Sequence, residues 1–96
     1  ACNIMEDFDD DEWAEMQEMY INHTSKELDK INNQLDLDSL EAIRIFGHNI
    51  KGSGGMYGFN EITNIGLQIE IAAKASDLDS IKSSLSELET FLKSKI

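Results

Sequence analysis

The residues best suited to chemistry lie in one short run, His48-Asn49-Ile50-Lys51-Gly52-Ser53-Gly54-Gly55-Met56-Tyr57-Gly58-Phe59. An imidazole offers a nitrogen lone pair near neutral pH. At about 100° per residue, Leu40, Ile43, Phe46 and Ile50 gather on one helical arc, whereas His48 projects about 140° away from Ile43 and faces solvent. Arg44, Lys51, Gly52 and Gly55 stand four, three, four and seven residues from it, spacings that put them near the ring on the helix surface. The pattern is an exposed imidazole flanked by two cations and by two positions without side chains. Glycine inside a helix costs about 1 kcal/mol relative to alanine, so two on this face imply that something approaches the backbone closely. Ile45, about 60° from His48 on the same wheel, is more apolar than solvent exposure requires. It suits a contact patch for a partner, and equally packing at the edge of a bundle.

Other chemistries fail on spacing. The glycine-rich run follows no strand and has neither GxxxxGK[ST] nor GxGxxG spacing, so a nucleotide-phosphate loop is not expected. Two separated histidines and one cysteine do not make a zinc site. No serine, histidine and acid arrangement is supported. His23 has no cationic or glycine company and lies at the edge of its helix's apolar arc, which reads as structure.

The elements that must position His48 follow from periodicity. The chain has no proline, and its six glycines all lie between Gly47 and Gly66, so the remainder is expected to be helical. Trp13, Met16, Tyr20, Thr24, Leu28, Ile31 and Leu35 recur at helical intervals and predict one helix over about Asp11 to Leu35. A second, with Asp38 or Ser39 as N-cap, buries Leu40, Ile43, Phe46 and Ile50 and runs into Gly54-Gly55. A third begins at Asn60 and buries Ile62, Ile65, Ile69 and Ala72 or Ala73. A fourth, capped by Ser76 or Asp77, carries Leu78, Ile81, Leu85, Leu88 and Phe91 or Leu92. Short links make sequential helices neighbours, so the expected fold is all-α, an antiparallel up-down-up-down four-helix bundle.

Composition sets the outer bounds. Ninety-six residues, 41% hydrophobic and 28% charged, suit one small folded domain. No apolar run approaches the ~18 residues of a membrane span. A formal charge of −11 disfavours sequence-independent binding to nucleic acid or to an anionic membrane surface. Cys2 is the only cysteine, and the N-terminus lacks the basic-then-apolar pattern of a secretory signal, so the expected compartment is the cytoplasm. Residues 1–25 hold eight acids and no Lys or Arg, against eleven acids and eight bases in residues 26–96. Residues 1–10 are expected to be an acidic leader or first turn whose carboxylates favour the positive end of the following helix, with residues 11–96 forming the bundle.

The series His48, Lys51, Gly52, Ser53 and then Gly58 resembles the histidine phosphotransfer (HPt) domain family, whose pattern is H-x-x-K-G-[SA] followed by a further glycine. The resemblance continues through Ile62, Leu67, Ile69, Glu70 and Ala73 and spans residues 38–75, with the outer helices matching by pattern only. His-x-Ile-Lys-Gly with Gly-Phe after it also looks like the phosphotransfer domain of chemotaxis-type histidine kinases. That group often has a second histidine three positions before the glutamate, where this chain has Leu67.

The resemblance implies a phosphorelay intermediate without kinase activity of its own. His48 would accept a phosphoryl group from the aspartyl phosphate of a receiver domain and pass it to another receiver. Lys51 would present an ammonium to the phosphoryl oxygens. Glu70 would accept a hydrogen bond from His48 Nδ1, leaving Nε2 free to attack. Gly52 would leave room for the partner's loop, with Arg44, Ile45 and Gly55 on the same docking patch. No resident cofactor is implied, because the divalent metal would belong to the receiver. The expected partners are receiver domains and a hybrid histidine kinase, met by a monomer. Two alternatives stand beside this reading: the phosphotransfer domain of a chemotaxis-type kinase, and an adaptor bundle that is never phosphorylated.

Overall fold

Asp9 opens the first helix, its Oδ1 accepting the Glu12 backbone N–H at 2.7 Å and satisfying a donor that has no partner within the helix. Asp10, Asp11 and Glu12 place negative charge at the positive end of the helix dipole. The computed structural model describes residues 9–96. Over that span it comprises α1 (Asp10–Asn32), α2 (Leu40–Gly54), α3 (Asn60–Lys74) and α4 (Leu78–Lys93), with no strand among the described residues. Of the expected acidic leader, residues 1–8 lie outside the described residues, and Asp10 is already helical.

α1 stops three residues short of the expected Leu35. The Asn33 N–H donates to the Asp29 carbonyl at 3.2 Å and the Gln34 N–H to Ile31 at 3.0 Å, a tightening that closes the last turn. Leu35 still packs against the core from the loop. α2 is entered through a 3-10 turn at Leu37–Ser39, and Ser39, although it precedes Leu40, makes no side-chain cap bond. At the far end of α2 a second 3-10 turn, Gly55–Tyr57, leads to Gly58 at φ 84°, a left-handed conformation that glycine adopts without a Cβ penalty. The Phe59 N–H then donates to the Gly54 carbonyl at 2.8 Å, and α3 starts at Asn60 as the sequence predicts. Ser76 takes φ 55° in the next link. Asp77 caps α4, accepting from the Ser80 backbone at 3.1 Å and from its hydroxyl at 2.6 Å. These two bonds, the hydroxyl foremost, hold the Asp77 carboxyl below its usual range.

The core is aliphatic. Ile43, Ile62, Ile69, Ile81, Leu85, Leu88 and Leu92 are fully buried, each worth about 1.5–3 kcal/mol against exposure. All come from the predicted apolar arcs. Ile21, outside the predicted stripe of α1, is buried as well. α2 and α3 run antiparallel, since Gly47 meets Gly66 and Glu70 while Gly54 meets Ile62 and Thr63. α3 and α4 do too: Phe59 meets Phe91 at one end, and Gln68 accepts from Ser84 further along. α1 closes the bundle against α4 and α2. An aromatic series of Trp13, Tyr57, Tyr20, Phe59 and Phe91 seals the end at which α2 turns into α3. Among the described residues no helix is long and apolar enough to cross a membrane.

Candidate functional site

Three glycines set the distance between α2 and α3. A Cβ added to Gly66 would lie 2.6 Å from the Lys51 nitrogen and 2.7 Å from the Gly47 carbonyl oxygen. One on Gly47 would lie 2.8 Å from the Glu70 nitrogen, and one on Gly54 2.8 Å from the Thr63 nitrogen. These are backbone atoms, which cannot swing aside as a flexible side chain can. The two helices therefore touch main chain to main chain, and only glycine fits at the contacts. Read as a sequence, this stretch looks like conformational punctuation. The structure makes Gly47 and Gly54, like Gly66, packing positions inside helices. One signal was available, because Ile43, Gly47, Ile50 and Gly54 share the apolar arc at intervals of four, three and four residues.

That close contact brings a carboxylate from one helix under the side chains of the other. Glu70 is 5% exposed. Its Oε2 lies 3.0 Å from His48 Nδ1, and its Oε1 accepts a 2.7 Å bond from the Lys51 ammonium. Lys74, one turn along α3, places its Nζ 3.9 Å from Oε2. The Lys51 bond is the main cause of a Glu70 carboxyl held below its ordinary range. The His48 bond and the charges of Lys51 and Lys74 act in the same direction, against the upward push of burial. An ionised carboxylate only accepts, so Nδ1 is the donor in the bond to His48, and in the neutral ring the lone pair is then on Nε2. The His48 side chain is 60% exposed. The arrangement is an oriented, accessible imidazole, held from beneath by a buried anion.

The other candidate residues fall around this triad unequally. Gly52 faces open space: beyond its own helix backbone, nothing lies within 4 Å of where its Cβ would stand. Arg44 is engaged by Glu41, Nε to Oε2 at 3.1 Å and Nη2 to Oε1 at 2.5 Å. Ile45 is 45% exposed and lines the groove between α2 and α1, together with His23 and Asn49. Gly55 lies beyond α2 in the 3-10 turn, its N–H bonded to Thr63 Oγ1 at 2.8 Å, and a Cβ there would stand 3.4 Å from that oxygen and 3.5 Å from Asn60 Oδ1. Ser53 reaches the other way, sharing a 2.7 Å hydrogen bond with the Tyr20 hydroxyl of α1 and donating to the Asn49 carbonyl at 2.9 Å. His23 is exposed on α1. Lys74 escaped the sequence reading, although a lysine four residues after a glutamate on a helix is a recognisable ion-pair spacing. Among the described residues no three His, Cys, Asp or Glu side chains gather as a metal-binding group.

The family model of the Hpt domain matches residues 15–94. No curated protein and no solved structure matches the chain. The matched span takes in all of α2, α3 and α4 and most of α1, and with them the whole His48, Lys51 and Glu70 constellation. The chain belongs to the Hpt domain family, the histidine phosphotransfer domains of two-component signalling.

Proposed function

We propose that the chain is a phosphorelay intermediate with His48 as its phosphoacceptor, and that Glu70 and Lys51 serve the transfer in different ways. The single observation that carries this reading is the 3.0 Å contact between His48 Nδ1 and the buried Glu70 carboxylate, made by a ring that is otherwise open to solvent. With Nδ1 protonated, the Nε2 lone pair attacks the phosphorus of a receiver's aspartyl phosphate. The N–P bond forms as the P–O bond breaks, and the electron pair leaves with the aspartate carboxylate. The ring keeps its Nδ1 proton and gains positive charge, which Glu70 stabilises. Transfer to a second receiver reverses each step. Lys51 supplies an ammonium within reach of the phosphoryl oxygens. The open position at Gly52 admits the receiver's active-site loop, which brings the divalent metal and the acceptor aspartate. A single copy provides every group named here, so a monomer suffices, and the chemistry needs no nucleotide.

Incubation with a phosphorylated receiver tests the proposal. Acid-labile, alkali-stable phosphate is expected on His48, and His48→Gln is expected to abolish it. That exposed substitution should cost about 0.5 kcal/mol of stability or less. Phosphate that persists in the variant and maps to His23 would overturn the assignment. Absence of phosphate across cognate receivers would instead make the chain an adaptor.

A further inference from the structure

Glu70 poses a problem for any transfer in which Lys51 moves to the phosphoryl group. Its side chain is 6% exposed, and in the resting arrangement Lys51 occupies Oε1 at 2.7 Å. An ammonium that follows the incoming phosphoryl oxygens must lengthen or release that bond. A buried carboxylate deprived of its nearest cation carries the full penalty of its burial. His48 cannot compensate alone, because its one Nδ1 proton already serves Oε2. Lys74 is placed to do so. It stands four residues after Glu70, the favoured order for an acid and a base on one helix. In the last turn of α3 its charge also suits the helix dipole. Its side chain is 62% exposed and its Nζ is 3.9 Å from Oε2, an ion-pair separation with no hydrogen bond yet made. It can close that gap by side-chain rotation, with no change in the backbone.

We propose that Lys74 is a positioning residue, the reserve counter-ion that takes over neutralisation of Glu70 when Lys51 shifts from the carboxylate to the transferring phosphoryl group. In the resting state Lys51 neutralises Glu70. As the N–P bond forms and the receiver's P–O bond breaks, Lys51 turns to the phosphoryl oxygens while Lys74 closes on Oε2. The carboxylate is thereby kept ionised and aimed at Nδ1. When the P–N bond breaks and the pair returns to Nε2, the cations exchange back. Lys74 never touches the phosphoryl group. The inference rests on the proposed roles of His48 and Lys51 and adds a dependence of one lysine upon the other.

That dependence is measurable as non-additivity. Receiver-dependent transfer is followed by rapid quench for the parent, Lys74→Met, Lys51→Ala and the double variant. Lys74→Met is expected to slow the single-turnover rate about two- to fivefold, the range of an exposed ion pair, with unchanged receiver affinity. Lys74→Arg is expected to restore the parent rate. The double variant is expected to be slower than the product of the two single effects, because with Lys51 gone the buried carboxylate depends on Lys74 throughout the transfer. A simple helix-end ion pair would change thermal stability and leave the rate alone, or would slow the double variant by no more than the product of the two single effects. Either result overturns the proposal, as does an unchanged rate in Lys51→Ala. A parent that never acquires phosphate on His48 would instead defeat the phosphoacceptor reading itself.

Discussion

α2 has two neighbours and meets them by different rules. Toward α3, Gly47, Gly54 and Gly66 bring main chain against main chain, and a buried carboxylate with its two cations joins the helices above that contact. Toward α1, side chains hold the helices apart. A groove of ≈470 Å³, lined by Thr24, Glu27, Ala42, Ile45 and Asn49 among others, runs between them. One hydrogen bond, Tyr20 to Ser53, and the stack of Tyr20 on Tyr57 at 4.5 Å pin its end. The α2–α3 contact is the one that must fix a distance, since a hydrogen bond from an imidazole to a carboxylate weakens steeply beyond its optimum. Small residues that hold two backbones in contact serve this purpose. Bulky side chains tolerate shifts, and nothing in the proposed chemistry depends on the width of the α1 groove.

The sharpest way to break this contrast is to add bulk on each side. Gly66→Val places carbon against the Lys51 nitrogen and the Gly47 carbonyl. It should cost about 3 kcal/mol or more, a fall in melting temperature of about 12 °C or more for a domain of this size. Ala42→Val, in the α1 groove, should stay within about 0.5 kcal/mol of the parent. Equal costs would show that the two interfaces obey the same rule.

Gly52, which meets neither neighbour, should behave differently again. Gly52→Gln is expected to leave stability unchanged or to raise it by a few tenths to about 1 kcal/mol, while receiver-dependent transfer falls severely. A small donor such as phosphoramidate should label it as well as it labels the parent. A loss of stability in this variant would place Gly52 against a packed neighbour.

Glu70→Gln should slow transfer about tenfold, because the amide orients the ring less firmly and carries no charge to stabilise it. It should also change the response to acid. The Glu70 carboxyl is held below the ordinary carboxylate range, first by the Lys51 bond, so it contributes stability above that range. This contribution is lost as pH falls through the lowered value. Melting curves recorded from neutral to acid pH should show the parent's advantage over Glu70→Gln shrinking on the acid side. A gap that does not vary with pH would mean that the charge of Glu70 is irrelevant to the α2–α3 contact. The smallest effect on transfer is expected at the α1 side. Tyr20→Phe removes the bond to Ser53 and should cost about 1 kcal/mol, with no change in transfer rate.

The same contrast decides what was legible in the sequence. His48, Lys51 and Gly52 lie within one turn or so of a single helix, so their spacing alone projects them onto one face, and Gly52 does stand open there. Apolar periodicity is equally local and marked Ile43, Ile62, Ile69, Ile81 and Leu85 for the core. Glu70 depends on how two helices meet. It came into view through family resemblance, since no spacing links residues 48 and 70. Gly47, Gly54 and Gly66 were ambiguous for another reason. A glycine signals a turn or a close contact with the same letter, and the true turn residue, Gly58, sits among them. Ile21 escaped because α1 turns its apolar face to both α2 and α4, a wider arc than a single stripe describes.

The most direct test of the account is a long-range proton–nitrogen correlation spectrum of the isotopically labelled, phosphorylated protein. It reads which histidine nitrogen bears phosphorus and which bears hydrogen. The α2–α3 contact predicts phosphorus on Nε2 of His48, with Nδ1 protonated and bonded to Glu70. Phosphorus on Nδ1 of His48, or on His23, would contradict it.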